Sequence, residues 1–112
     1  MTRHIFRVRF FNQGEIYELY ARAVHQSDVY GFVVVEDLIF GEHTSVVVDP
    51  QEERLKSEFD GVKRTLLPMH TVIRIDEVEK GGQSKIIDAP EGAKVTPFPT
   101  TLFTPGKGRD KN

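Results

Sequence analysis

The alternation of apolar and charged residues near the start of the chain predicts a β-hairpin. In residues 6–10 the even positions are apolar, and in residues 17–23 the odd positions are apolar, so both segments have the two-residue period of a strand with one buried face. Gln13 and Gly14 between them are typical of a two-residue turn. The predicted pairs are Phe6 with Ala21, Val8 with Leu19 and Phe10 with Tyr17 on one face, and Arg9 with Glu18 on the other.

A long apolar segment in the middle of the chain predicts an interior strand. Residues 32–40 are apolar at both even and odd positions, which is typical of a strand covered on two faces, and a bulge is expected near Glu36 and Asp37. Because such strands pair readily when exposed, we expect this one inside a sheet. Residues 45–48 follow a turn and predict a return strand.

A short helix is predicted near residues 50–59. Asp49 is a natural N-cap, Pro50 suits the first helical position, and Gly61 suits the end of the helix. Leu55 lies on the face that the helix would bury.

Two closing strands are predicted at residues 62–67 and 71–78, with a tight turn at Pro68 between them. About six short antiparallel strands and one helix indicate a mainly β protein. The predicted architecture is a small antiparallel barrel or a strongly bent sheet.

Composition supports a β fold and a single domain. The 112 residues include 20 Val and Ile against 10 Ala and Leu, a ratio that favours strands. Four of the six prolines and five of the nine glycines follow residue 80. We therefore predict a β-barrel domain at residues 1–80 and a flexible Pro/Gly-rich tail at residues 81–112, in which residues 84–87 dock as a short extension.

Charge and targeting signals limit the classes of partner. The formal net charge is −2, and residues 1–80 carry −4 of formal charge, so only a local basic patch could bind nucleic acid. No apolar run reaches the length of a membrane span, and the N-terminus lacks the apolar block of a signal peptide. We expect a cytoplasmic protein with no membrane partner.

The sequence contains no motif that indicates catalysis. The absence of cysteine excludes disulfides, thiolate chemistry and Cys-based zinc sites. The four histidines lack metal-ligand spacing, and there is no nucleophile elbow, P-loop or dinucleotide fingerprint. Adjacent acidic pairs on a strand point to opposite faces and cannot share a proton. We expect no catalytic residue, no cofactor and no metal site.

Basic and aromatic residues on the predicted strands are candidates for binding single-stranded nucleic acid, because arginine and aromatic side chains on a barrel face can hold phosphates and stack bases. The alternative is a solvated sheet face that Glu15 and Glu18 neutralise. Residues 97–105 of the tail could bind a protein partner, or could be an ordinary disordered end. The candidate nucleic-acid-binding residues are Arg3, Arg7, Arg9, Tyr20, Arg22, Lys63, Arg64, His70 and Arg74.

Residues 30–38, 46–56 and 67–78 together resemble a small family of proteobacterial proteins known as a domain of unknown function. The resemblance covers roughly residues 3–80 and implies a bacterial cytoplasmic protein, without an established activity, cofactor or site. The turn at residues 68–73 is also similar to the end of Sm-like and SH3-like barrels. These include the bacterial RNA chaperone that forms a hexameric ring. In that chaperone a turn histidine lies beside the RNA pore, and the resemblance implies that His70 is the matching position in this chain.

The sequence therefore indicates a non-enzymatic binding module for a protein partner or single-stranded RNA. The alternative is a small enzyme or small-ligand binder with a site at the barrel mouth, formed by His70, Arg74 or His43 with Asp49. A third possibility is a homo-oligomer that assembles through exposed strand edges.

Overall fold

The computed structural model describes residues 4–41 and 49–88. The predicted return strand at residues 45–48 lies outside these ranges, as do residues 89–112 of the predicted tail, including residues 97–105. A 3-10 turn, Met69–Thr71, separates the fourth and fifth strands. The other elements are β1 (Ile5–Asn12), β2 (Glu15–Gln26), β3 (Phe32–Ile39), α1 (Pro50–Glu58), β4 (Arg64–Pro68), β5 (Val72–Val78) and β6 (Lys85–Asp88).

The first hairpin has the predicted register. Gln13 and Gly14 are its two turn residues, with φ of 53° and 81°, and this left-handed pair gives the twist that a two-residue hairpin turn needs. The prediction from alternation and turn chemistry is confirmed. The observed pairs are Phe6 with Ala21, Val8 with Leu19, Phe10 with Tyr17 and Arg9 with Glu18.

The strands form one open, strongly bent antiparallel sheet in the order β4-β3-β2-β1-β5. β6 pairs with β2 at residues 15–18, and β3 pairs with β2 at residues 20–26, so β6 and β3 lie end to end along one edge of β2. The expected interior position of the third strand is confirmed, because β3 lies between β2 and β4. The mainly β prediction is confirmed in its bent-sheet form.

A sharp bend crosses β2 and β3 at the same level. On β2 the core-facing residues have odd numbers up to Ala21 and an even number at Val24. On β3 they have odd numbers up to Val35 and an even number at Leu38. Each strand therefore has one residue more than strict alternation allows, and because both strands have it, the pairing register is the same on both sides of the bend. Asp37 lies at this point with a left-handed φ of 57°, where the sequence predicted a bulge.

The concave side of the sheet and one face of α1 form the core. Asp49 caps the helix by accepting a hydrogen bond from the Gln51 amide at 2.7 Å, and the helix ends one residue earlier than predicted. Burial of Leu55 fixes the helix on the sheet. The core cluster comprises Val8, Phe10, Tyr17, Leu19, Ala21, Val35, Leu55, Leu67 and Ile86.

The first turn of α1 attaches β6 to the sheet. The buried Glu52 carboxylate accepts a hydrogen bond from the Ser84 amide at 3.2 Å, and Gln51 Oε1 accepts one from the Ile86 amide at 3.3 Å. Asp49 also contacts Gln83. The docked extension predicted at residues 84–87 is thus present as β6.

Candidate binding surfaces

Four cations lie on the face of the sheet opposite α1. Arg9 lies opposite Arg74 on one neighbouring strand and opposite Glu18 on the other, and Glu18 lies opposite Lys85. Arg7 comes from the same side of β1. We call this surface the basic face: Arg7, Arg9, Arg74 and Lys85, with the carboxylates of Glu18 and Asp76 between them.

The first carboxylate of the basic face is almost completely buried. The Glu18 side chain is 4% exposed, although it lies on the side of the sheet away from the core. Arg9 Nε donates to Glu18 Oε1 at 2.5 Å, and Lys85 Nζ lies 3.9 Å from Glu18 Oε2. Both carboxylate oxygens therefore have a cation nearby, which compensates the lost hydration.

The second carboxylate links two arginines. Arg7 Nη2 donates to Asp76 Oδ2 at 3.0 Å, and Arg74 Nε lies 2.9 Å from the same oxygen. The hydrogen bond from Arg7, followed by that from Arg74, lowers the pKa of Asp76, and the bond to Asp76 raises the pKa of Arg7. Four cations against two carboxylates leave the basic face with a formal charge of +2, opposite in sign to the whole chain.

The other predicted nucleic-acid residues are dispersed. Tyr20 is buried beside Gly82, so its ring is not available for stacking on a base. Arg22 is half-buried at the bend. Lys63 and Arg64 lie at the start of β4, and His70 lies on the 3-10 turn, each exposed. Arg3 lies outside the described residues. The sequence did not indicate Lys85, because it belongs to the segment assigned to the tail.

β4 and β5 follow each other in the sequence but lie at opposite ends of the strand order, which explains why these residues are dispersed.

Arg64 joins a separate network, in which its Nε lies 3.1 Å from Glu36 Oε2 and His25 Nε2 lies 3.1 Å from Glu36 Oε1. The Gln26 carbonyl, followed by Glu36, raises the pKa of His25. Glu36 is thus held between two partners on the bent part of the sheet.

Large apolar side chains are exposed together at one end of the molecule. The amide of Met69 donates to the carbonyl of Gly31 at 2.7 Å, so the 3-10 turn lies against the β2–β3 turn. We call the exposed surface here the apolar corner: Val29 (54% exposed), Tyr30 (94%), Leu66 (40%) and Met69 (55%). Apolar side chains that are exposed together mark contact surfaces more often than scattered ones do.

Two cavities flank β4. The outer cavity, about 280 Å³, is lined by His25, Gln26, Ser27, Asp28, Val29, Val34, Arg64 and Leu66. The inner cavity, about 420 Å³, is lined by Phe10, Phe11, Asn12, Gln13, Glu58, Phe59, Thr65, Leu66, Leu67, Pro68 and Thr71. It lies between β4 and the end of β1, where the sheet is open. A third cleft of about 630 Å³ lies between the end of α1 and the bend of β3, with charges of both signs around it.

The residues of the predicted barrel-mouth site do not meet. His70 is exposed on the 3-10 turn, Arg74 is paired with Asp76 on the basic face, and Asp49 caps α1. None of these three lines a cavity described above. His43 lies outside the described residues.

Within residues 4–41 and 49–88 there is no helix with the length and apolar character needed to cross a membrane. No three His, Asp or Glu side chains there are grouped so that they could hold a metal ion.

Comparison with known proteins identifies one family. The model of a family described as a domain of unknown function, DUF1820, matches residues 4–100, which is most of the chain. The predicted resemblance to such a family is confirmed. No curated protein and no solved structure matches the chain, so the likeness to Sm-like and SH3-like barrels stays a prediction.

Proposed function

The chain belongs to the DUF1820 family, and we propose that it is a non-enzymatic binding module that contacts a protein partner through its apolar corner. The observation that supports this proposal is the exposure of four large apolar side chains at one end of the described chain, with Tyr30 almost fully exposed. Leaving these groups in water loses the free energy that their burial would provide, about 25 cal/mol per Å². A partner that covers them recovers it.

The corner is also held in place before any partner arrives. The Gly31 carbonyl accepts a hydrogen bond from the Met69 amide, and Phe32 pairs with Pro68. The two segments that carry the apolar groups are therefore fixed to each other. A Tyr side chain has few rotatable bonds and contributes a large contact area at low entropic cost. We therefore expect Tyr30 to be the main anchor, as buried aromatic residues at interfaces usually are.

Site-specific photo-crosslinking tests this function. The full chain, with p-benzoylphenylalanine in place of Tyr30, is expected to capture one defined protein in bacterial cells, and a matched chain labelled at the exposed Lys80 is not. Tyr30→Ser should then weaken binding of the purified partner by about tenfold or more, which corresponds to about 1.4 kcal/mol. Identical adducts from both positions, or unchanged affinity of Tyr30→Ser, would refute the proposal.

Single-stranded nucleic acid is a second candidate partner, which the +2 charge of the basic face supports. Because Tyr20 is buried, binding would depend on phosphate contacts, without base stacking. Titration of the full chain with labelled single-stranded RNA should then show affinity that falls steeply between about 50 mM and about 200 mM salt. Arg74→Ala should weaken binding and Lys63→Ala should not. No binding at the lower salt concentration would remove this candidate.

We also propose the bacterial cytoplasm as the compartment. Without cysteine, the chain does not depend on an oxidising compartment for disulfide formation.

A further inference from the structure

We propose that the open edge of β4 is a strand-addition site for an extended segment of a protein partner with apolar side chains at alternate positions. This inference rests on the proposed function and specifies the form of the bound segment. One edge of β4 pairs with β3, from Arg64 opposite Glu36 to Pro68 opposite Phe32. β4 ends the strand order, so in the described chain its other edge faces no strand, and its outward N–H and C=O groups can pair with an incoming backbone.

The inner cavity lies at this edge, whereas the outer cavity lies over β3 on the other face of the sheet. Thr65 and Leu67 line only the inner cavity, and Leu66 lines both. An added strand alternates in the same way. Alternate side chains of the partner would therefore enter the inner cavity, and the side chains between them would lie on the outer face beside Leu66, while its backbone pairs with β4.

The walls and size of the inner cavity favour apolar side chains. Its walls include Phe10, Phe59 and Leu67, whereas five of the eight residues that line the outer cavity are polar or charged. Its volume, about 420 Å³, exceeds the roughly 150 Å³ that accommodates a benzene-sized group in an apolar cavity. It can therefore hold an aliphatic or aromatic side chain.

The opposite edge of the sheet is less suited to strand addition. The register of β5 against β1 shifts between Arg9 and Phe10, so β5 is irregular near Ile73. Charged residues at Arg74 and Asp76 follow. Irregular and charged edges are common ways of preventing strand pairing. β4 also has a charge and a proline at its ends, Arg64 and Pro68, but its register is continuous and it borders the inner cavity.

The experiment uses the isotopically labelled full chain and a mixture of blocked peptides in which Val, Ile, Leu or Phe alternates with Thr. We expect the peptides to shift the amide resonances of residues 64–68 and to slow hydrogen exchange at every second β4 amide. Peptides N-methylated on one edge should bind at least about tenfold more weakly, because they cannot complete the ladder. Leu66→Asp should abolish binding, and Ile75→Asp, an exposed substitution on β5, should leave it unchanged.

Three results would overturn this inference. They are absence of peptide binding, equal binding of the N-methylated peptides, and self-association that Leu66→Asp abolishes, since the occupant would then be a second copy. The proposed function is tested separately: crosslinking from position 30 together with equal binding of the N-methylated peptides would support a partner at the apolar corner while excluding strand addition.

Discussion

The pair of Arg9 and Glu18 makes an asymmetric prediction about stability. Arg9→Met should destabilise the protein more than Glu18→Gln, although both substitutions remove the same ion pair. The reason is the difference in exposure: 4% for the Glu18 side chain and 39% for that of Arg9. Water can replace the partner of Arg9 but reaches the Glu18 carboxylate poorly.

The expected magnitudes follow from these exposures. Removing one partner from a fully buried ion pair costs about 3–5 kcal/mol. Since Lys85 remains 3.9 Å from Glu18 and the space left by Arg9 is open to water, we expect about 1.5–3 kcal/mol for Arg9→Met. Glu18→Gln leaves a solvated arginine and a neutral amide, so we expect about 1 kcal/mol or less. The double variant should resemble Glu18→Gln, because no buried charge is left unpaired.

Urea unfolding of the four proteins, wild type included, measures these differences through the transition midpoint at constant slope. Arg54→Met is a matched control: its pair with Glu15 at 3.7 Å is largely exposed, so its loss should change stability by less than about 0.5 kcal/mol. If Arg9→Met is no more destabilising than Glu18→Gln, the carboxylate does not depend on Arg9, and the account of the basic face is wrong.

Two further predictions concern the docked segment and pH. A Cβ at Gly82 would lie 2.5 Å from Tyr20 Oη, and since Tyr20 is buried, Gly82→Ala should lower stability by about 1–3 kcal/mol in thermal unfolding, with part of the loss recovered by Tyr20→Phe. The Gln26 carbonyl and Glu36 raise the pKa of His25 above 6.5, so its stabilising contribution is complete below that pH and is lost as pH rises through the higher folded value. The urea midpoint should fall over that range, and a His25→Gln profile with the same fall would contradict this assignment.

Local signals in the sequence were sufficient for the hairpin and the helix. The alternation around Gln13 and Gly14 allowed one register, because a shift of one residue would have put Val8 opposite Glu18. Asp49 and Pro50 likewise marked the start of α1 by capping chemistry that needs no tertiary contact. These elements were predicted because their information is carried by adjacent residues.

Which residues come together on a surface depends on long-range strand pairing, and the sequence does not show that pairing. Arg64 and Arg74 are ten residues apart and were grouped together, but β4 pairs with β3 and β5 pairs with β1, which places them at opposite ends of the sheet. Alternation along β2 places Tyr20 on the face away from the core, yet the segment at Gly82 covers it. Lys85 joins the basic face through β6. The sequence predicted that residues 84–87 dock, but it did not indicate that they pair with β2.

The bend links the fold to the proposed strand-addition site. Residues 32–40 are apolar at both parities, so either side of β3 can be buried, and this permits the change of facing at Asp37. Because the register continues through the bend, the far halves of β2 and β3 turn together and carry β4 towards the end of β1. A flat sheet would leave β4 with solvent beside its free edge. The bent sheet instead places the inner cavity between β4 and β1, so the bend itself creates the gap that an added strand would fill.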